Sequence, residues 1–337
     1  MEKPRTGNKL RMVGFGSVAC SAVVFLGTTV LTPAVAQVKY PAGPIELIVT
    51  FDPGGAADSA ARSLAPYLSK YLGVAVVVKN VPPPRTGTDI FSRSKPDGYT
   101  VGVLAGSAVA SDEVFFKVRF RGREFAWIAT NAATPGVLFA NARGPIKSFN
   151  DIAKVAAERP VKIGAFSIYS STTVATIIAL SEKNIPFTFV TGFKGAAPAM
   201  TSLIRGEVDL VGTTIGSGSA FYKSGDARVL LLMQPDPDPQ VPGAPTIGQV
   251  GLSPSTGYLG PVVFALVAPP GTGKEVRDIL AAAHKNATDD PMYRAQLEKV
   301  GFTLSYTPPE RVHEWLNNIY GAYEKFKPQV EAQVKKD

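Results

Sequence analysis

The 337-residue sequence predicts an α/β protein of two lobes, each a mixed sheet flanked by helices, and three observations support that expectation. Short apolar runs bounded by turn residues alternate with helix-period segments, a pattern that builds sheets with parallel strands and helices on both faces. The alternation falls into two series with different punctuation, one ending near residue 135 and the other near 261. The chain then resumes with an apolar run and turns helical, so its last part completes the first lobe. The expected lobes are 37–135 with 262–337, and 136–261.

The first element is an export signal. Lys3, Arg5, Lys9 and Arg11 form a basic region, Val13 to Leu31 is apolar or small, and Ala34-Val35-Ala36 supplies an A-x-A site before Gln37. Residues 1–36 are read as a signal peptide cleaved after Ala36, which sends the mature chain to the periplasm. A membrane anchor competes, but Gly14, Gly16 and Gly27 interrupt the run, and no later stretch approaches the roughly 18 to 20 apolar residues of a span. Lipidation at Cys20 is set aside because the apolar stretch before it is too short. That cysteine is the only one, so the rest of the chain relies on a packed core instead of disulfides. The formal charge of +8 includes the bases of the export segment and shows no Lys/Arg cluster interleaved with aromatics, which argues against a nucleic-acid partner.

Ile45 to Phe51, Val74 to Lys79 and Thr100 to Ala105 read as buried strands, the third launched by the Pro96-Asp97-Gly98 turn. Between the first two, Ala57, Ala61, Leu64, Leu68 and Tyr71 mark one face of a helix. The first strand runs through Phe51 into Gly54 and Gly55 and then into that helix. Two residues without Cβ let a ligand approach the backbone, and the amides of Gly55, Ala56 and Ala57 stand at the positive end of the helix, an anion seat. An ordinary strand-to-helix turn explains the glycines equally well. Asp58, in the first helical turn, favours the helix dipole but would repel an anion, so bracing the loop is its better reading.

In the second series Val137 to Ala140 and Val161 to Phe166 look like strands around a helix capped by Ser148, with Asp151 three residues on. Further strands fit Phe187 to Thr191, Val208 to Thr213 and Val229 to Met233. From 234 to 261 Pro, Gly, Asp and Ser become frequent, which predicts a long surface connection. Ser167, Ser170, Ser171, Thr172 and Thr173 follow the strand ending at Phe166. Hydroxyls with helix-terminal amides receive a carboxylate without a buried counter-charge, and N-capping explains part of this cluster but not all of it. Two such junctions facing each other across a cleft are what a hinge-closing solute receptor requires. The chain closes with a strand at Val262 to Val267 and a helix with Thr307 and Glu310 at capping-box spacing and Pro308 at its first position. Val312, Trp315, Leu316, Ile319, Tyr323 and Phe326 form its packing face.

Enzyme signatures fail. Gly271-Thr272-Gly273-Lys274 lacks the first glycine and the Ser/Thr of a phosphate loop and reads as a helix start. His284 and His313 are the only histidines, neither lies in an H-E-x-x-H helix, and both read as surface or packing residues. Gly216-Ser217-Gly218-Ser219 breaks the nucleophile-elbow spacing. No catalytic residue, metal ligand or cofactor is assigned.

Tyr40-Pro41, P-G-G-x-x-D-x-x-A-R (Pro53 to Arg62), V-V-V-K-N (Val76 to Asn80), P-D-G-Y-T (Pro96 to Thr100), F-K-G-A-A-P-A-M (Phe193 to Met200), G-E-V-D-L (Gly206 to Leu210) and V-P-G-A-P-T (Val241 to Thr246) occur in order. Together they resemble the substrate-binding receptors of tripartite tricarboxylate transporters, the Bug or TctC family. The resemblance implies a periplasmic, two-lobed, type II-like Venus flytrap, monomeric and without cofactor, that captures a small carboxylate and passes it to a membrane permease. It places ligand contacts at Phe51, Gly55, Ala56, Ala57, Asp58 and Ser107 in one lobe. In the other it places them at Ser167, Tyr169, Ser170, Ser171, Thr172, Thr213 and the run Lys194-Gly195-Ala196.

Departures from the family pattern bear on the ligand. A glycine-rich R-P-G-A-G-G is replaced by Val81-Pro82-Pro83-Pro84-Arg85-Thr86-Gly87, a stiffer loop with a displaced arginine. Arg85 is read as solvated surface, with a guanidinium fork to a carboxylate as the alternative. Ile168 and Tyr169 stand where small residues are expected, so a ring-sized acid could stack on Tyr169 or Phe51. A ligand sensor with a signalling partner and a periplasmic enzyme on the same scaffold are the other function classes.

Overall fold

The computed structural model describes residues 40–334, and the predicted export signal with its cleavage site lies outside them. The chain runs β1 (Ile45–Val49), α1 (Ala56–Leu72), β2 (Val76–Asn80), α2 (Pro84–Ser92), β3 (Thr100–Ala105), α3 (Gly106–Phe115), β4 (Ala126–Thr134), β5 (Gly136–Asn141), α4 (Asp151–Ala156), β6 (Val161–Gly164), α5 (Ser171–Glu182) and β7 (Phe187–Val190). It continues with α6 (Ala196–Arg205), β8 (Leu210–Thr214), α7 (Ile215–Lys223), β9 (Ala227–Leu232), α8 (Pro254–Gly257), β10 (Val262–Ala268), α9 (Lys274–Asp289), α10 (Pro291–Lys299), β11 (Thr303–Leu304) and α11 (Pro309–Val334). Among the described residues no helix is long and apolar enough to cross a membrane.

The strands form two mixed sheets, in the orders β11-β4-β10-β3-β1-β2 and β7-β6-β8-β5-β9. In the first, β1 pairs in parallel with β2 and β3, while β10 runs antiparallel to β3 and β4. In the second, β6 is parallel to β7 and β8, and β5 runs antiparallel to β8 and β9. Each sheet therefore holds three parallel strands, each followed by a helix, and each parallel group is extended by antiparallel strands.

Packing follows the apolar spacing. Ala57, Ala61, Leu64 and Leu68 of α1 are buried in a core with Leu47, Val103 and Leu266. A second core runs from Phe91, Leu104 and Val109 through Tyr320 and Tyr323 of α11 to Val174, Ile177 and Ile178 of α5, so α11 joins the two sheets along one side. Between the sheets, the chain passes from β4 to β5 through Pro135 and Gly136, and returns through Gly260 and Pro261. A Cβ on Gly136 would stand 2.0 Å from the Gly260 carbonyl oxygen, so the two passages touch backbone to backbone.

Several expectations need correction. β4 was not expected: in its sequence, AWIATNAAT, Thr130 and Asn131 interrupt the apolar residues, yet all nine of its residues are buried. Thr130 and Asn131 are bonded from outside the sheet: Thr130 Oγ1 donates to the Ser305 carbonyl at 2.5 Å and accepts from the Thr307 amide at 2.6 Å, and Asn131 Nδ2 donates to Tyr293 Oη at 3.1 Å, while Asn131 Oδ1 and Thr134 Oγ1 are buried without a partner among the described residues. α11 starts at Pro309, one residue later than the capping-box spacing suggests, with the Val312 amide donating to the Pro308 carbonyl. α4 starts at Asp151, whose carboxylate accepts from the Ser148 amide and hydroxyl; Asp151 thus holds the turn that Ser148 was expected to cap. The 234–261 connection is anchored by buried Val241, Ile247, Leu252 and Leu259 and contains α8.

Candidate functional site

A strand that ends beneath a following helix delivers the N-terminus of that helix to the carboxyl edge of the sheet. This happens at β1–α1, β2–α2 and β3–α3 in one sheet, and at β6–α5, β7–α6 and β8–α7 in the other. Residues at or beside the starts of all six helices line one cleft of about 1210 Å³. Each helix start carries partial positive charge and amides without intrahelical acceptors. α5 and α7 satisfy part of that need themselves: the Thr173 amide donates to Ser170 Oγ and the Ser217 amide to Thr214 Oγ1, both at 3.3 Å. No side chain caps α1, α2, α3 or α6. The helix starts therefore offer the cleft a set of backbone donors, beside the charged side chains of Asp52, Arg85, Asp112 and Lys194.

Of the residues expected at the site, Phe51, Gly55, Ala56, Ala57, Ser107, Ser167, Tyr169, Ser170, Ser171, Thr172, Lys194, Gly195, Ala196 and Thr213 line this cleft. Asp58 does not line it. Its carboxylate accepts from the Gly54 amide and Arg62 Nε at 2.9 Å and from Asn80 Nδ2 at 3.0 Å. Burial opposes ionisation of Asp58, but the hydrogen bonds from Arg62, Gly54 and Asn80 outweigh it and hold the carboxyl below the usual carboxylate range. Asn80 also donates to the Phe51 carbonyl at 3.0 Å, so Asp58 and Asn80 together fix the loop from Phe51 to Gly55 from behind. Gly54 (φ 83°) and Gly195 (φ 123°) occupy backbone conformations that glycine alone adopts without strain.

The hydroxyls divide into two groups. Ser170 caps α5 and donates to Thr173 Oγ1 at 2.9 Å, and Thr172 donates to the Gly212 carbonyl at 3.2 Å. Ser107, Ser171 and Thr213 are buried at the cleft wall, and among the described residues their hydroxyls have no hydrogen-bond partner. Tyr169 is engaged differently from expectation. Its ring packs against Phe115 (4.9 Å between centroids) and Phe116 (5.0 Å), and its carbonyl accepts from Ser111 Oγ at 2.6 Å. The bulk that replaces the small residues thus ties the β6–α5 loop to α3 across the cleft. Phe51 and Phe166 are the aromatic side chains left at the loops that open from β1 and β6, and Phe166 is 36% exposed.

The wall formed by α2 and α3 was anticipated only at Ser107 and, as an alternative, at Arg85; Ser111, Asp112 and Phe116 were missed. Arg85, Ser111, Asp112 and Phe116 line the cleft. Arg85 Nε donates to Asp112 Oδ1 at 3.0 Å, and the guanidinium lies 3.6 Å from the Phe116 ring centroid. Burial pushes the Asp112 carboxyl up to about 6 despite the opposing pull of Arg85. The proline run before Arg85 conceals a helix start, since Pro83 is the N-cap residue and Pro84 the first residue of α2. Lys194, beside the start of α6, is the other cation of the cleft. Among the described residues no group of three or more His, Cys, Asp or Glu is placed to hold a metal ion.

The family described as "Tripartite tricarboxylate transporter family receptor" matches residues 60–318. A UPF0065 protein from the gbd 5′ region of Cupriavidus necator is 30% identical over 285 residues, 83% of this chain and 85% of its own length. Two solved structures share the fold. MatC from Rhodopseudomonas palustris, with bound malate, aligns at TM-score 0.71 and 22% identity over 86% of this chain and 100% of its own. Another R. palustris protein, with adipate, aligns at TM-score 0.74 and 22% identity over 87% and 98% of the two chains.

Proposed function

Because this chain belongs to the tripartite tricarboxylate transporter receptors, a family of solute-binding proteins, we propose that it captures a small organic acid in the cleft between its sheets and delivers it to a membrane permease of that transporter type. One observation supports the carboxylate most directly: six helix N-termini from two sheets converge on one cavity, four of them without a side-chain cap, beside the unpartnered hydroxyls of Ser107, Ser171 and Thr213. Amides and hydroxyls donate to a carboxylate without burying a compensating cation, which suits a ligand that must be released again.

In this reading a carboxylate is held between Gly55, Ala56 and Ala57 on one side and Ser167, Ser170, Ser171 and Thr172 on the other, with Ser107, Gly195, Ala196 and Thr213 completing the wall. Asp58 acts through the loop it braces. The lobes are 37–135 with 262–337, and 136–261, and they rotate about the passages at 135–136 and 260–261 to close on the ligand. The receptor works as a monomer in the periplasm after removal of residues 1–36, without a cofactor and without chemistry on its ligand. Malate and adipate in the related structures make short aliphatic dicarboxylates the first ligands to test, and Phe51 and Phe166 make room for aromatic acids.

Mass spectrometry of the ligand copurifying with the protein, followed by calorimetric titration of aliphatic and aromatic mono- and dicarboxylates, tests the proposal. Saturable binding of at least one acid at micromolar concentration, unchanged on recovery, is the expected result. No binding across the whole panel, or turnover of a bound acid, overturns it.

A further inference from the structure

The carboxylate-receptor reading leaves Arg85, Asp112 and Phe116, on the wall made by α2 and α3, without a role. Helix starts and hydroxyls account for one carboxylate, yet this wall presents a positioned guanidinium. Arg85 is fixed at two points: Nε is bonded to Asp112 Oδ1 at 3.0 Å, and the planar group is stacked 3.6 Å from the Phe116 ring centroid. The Asp112 side chain is only 16% exposed, while the Arg85 side chain is 53% exposed. Among the described residues the Nε bond is the one hydrogen bond that Arg85 makes, which leaves both Nη groups able to donate, and Arg85, Asp112 and Phe116 all line the cleft.

This differs from an arginine left in solvent. A guanidinium anchored through Nε and stacked on a ring has already given up much of its side-chain freedom, and its two Nη groups match the two oxygens of a carboxylate. Asp112 cancels the charge of the pair, so attraction at long range is weak and selectivity rests on directed hydrogen bonds. Lys194 is the useful contrast, an exposed ammonium in the same cleft without a hydrogen-bond or ion-pair partner among the described residues. It offers a point charge with no fixed direction.

We propose that the free face of the Arg85 guanidinium receives a second carboxylate of the ligand, making Arg85 the residue by which this cleft selects dicarboxylates over the matching monocarboxylates. The proposal rests on the carboxylate-receptor reading, and its test separates the two.

Purified protein and its Arg85→Gln, Arg85→Lys and Lys194→Gln variants are titrated calorimetrically with short aliphatic dicarboxylates and their monocarboxylate counterparts, at low and high salt. Thermal denaturation of each variant confirms folding. The expected result is that Arg85→Gln weakens the best dicarboxylate by about 10- to 100-fold and changes its monocarboxylate counterpart by less than about 3-fold. Arg85→Lys does not restore the loss, because charge without the fork is insufficient. Lys194→Gln alters both ligand types alike, and its effect fades with salt. Equal losses for both ligand types in Arg85→Gln, full rescue by lysine, or a parent protein that binds monocarboxylates as tightly as dicarboxylates overturns the assignment and leaves the receptor reading intact. A parent protein that binds no carboxylate overturns both.

Discussion

Replacing Ser171 by alanine separates ligand contact from helix stability at the start of α5. Ser171 is the first residue of that helix, 7% exposed, and its hydroxyl has no partner among the described residues although it lies at the cleft wall. Its neighbour Ser170 does the capping, accepting from the Thr173 amide at 3.3 Å. If Ser171 Oγ donates to a ligand carboxylate, its removal costs about 1.5–3 kcal/mol of binding, the range for a hydrogen bond to a charged group, or roughly 10- to 150-fold in Kd. Unfolding stability should move by less than about 0.5 kcal/mol, because no intramolecular hydrogen bond is lost and alanine is the better helix former. Ser170→Ala is the control, losing about 1 kcal/mol of stability through the missing cap. Calorimetric titration with the copurified acid, paired with urea unfolding of both variants, reads the two quantities independently. Unchanged affinity in a folded Ser171→Ala protein would remove this hydroxyl from the site. Lost affinity accompanied by an equally large loss of stability would show that its role is structural.

Three further outcomes are expected. Gly136→Ala should destabilise the protein by about 3 kcal/mol or more in urea unfolding, because the new Cβ would stand 2.0 Å from the Gly260 carbonyl oxygen and neither backbone can yield cheaply; a loss under about 1 kcal/mol would mean that the two passages separate freely. Asp58→Ala should weaken ligand binding without touching ligand, since the Gly54 amide and Asn80 lose their acceptor, and it should lower stability by about 2 kcal/mol; unchanged affinity would disconnect the brace from the seat. Both ring nitrogens of buried His284 lack partners, and burial lowers its pKa to about 3. Below the ordinary value of 6.5 the unfolded chain takes up a proton that the folded chain refuses, so stability falls on acidification by about 1.4 kcal/mol per pH unit until the folded pKa is reached. His284→Leu should therefore lose roughly 2 kcal/mol less than the parent between pH 6.5 and 4.5, and parallel pH profiles would contradict this.

The parts legible in the sequence were those whose physics is local. Thr100 to Ala105 is a strand with the boundaries its apolar run indicates, and α9 begins after Gly273 as the glycine and lysine imply. The α1 and α11 packing faces follow from helical spacing, with Leu64, Leu68, Val312 and Tyr323 all buried. The glycine and hydroxyl junctions were legible because a strand meeting small residues before a helix has a characteristic composition. β4 was not legible, because a strand buried on both faces needs no alternation and its Thr130 and Asn131 find side-chain hydrogen-bond partners only in residues 162 to 177 positions away. The α2 wall was hidden for a similar reason, since three consecutive prolines read as a stiff loop until Pro84 is seen to start a helix.

The sequence by itself determined the fold class, the family and both cleft-lining junctions, because local composition and spacing set where strands give way to helices. Only the tertiary structure decided which groups at those junctions are free. Ser170 and Thr172 spend their hydroxyls on the protein while Ser171 and Thr213 do not, and Asp58 turns away from the cleft to hold its loop. Arg85 becomes a fixed fork through Asp112, 27 residues away, and Phe116. The physical reason is that a side chain's residue type sets what it can donate or accept, whereas its availability depends on partners that only the folded chain brings within reach.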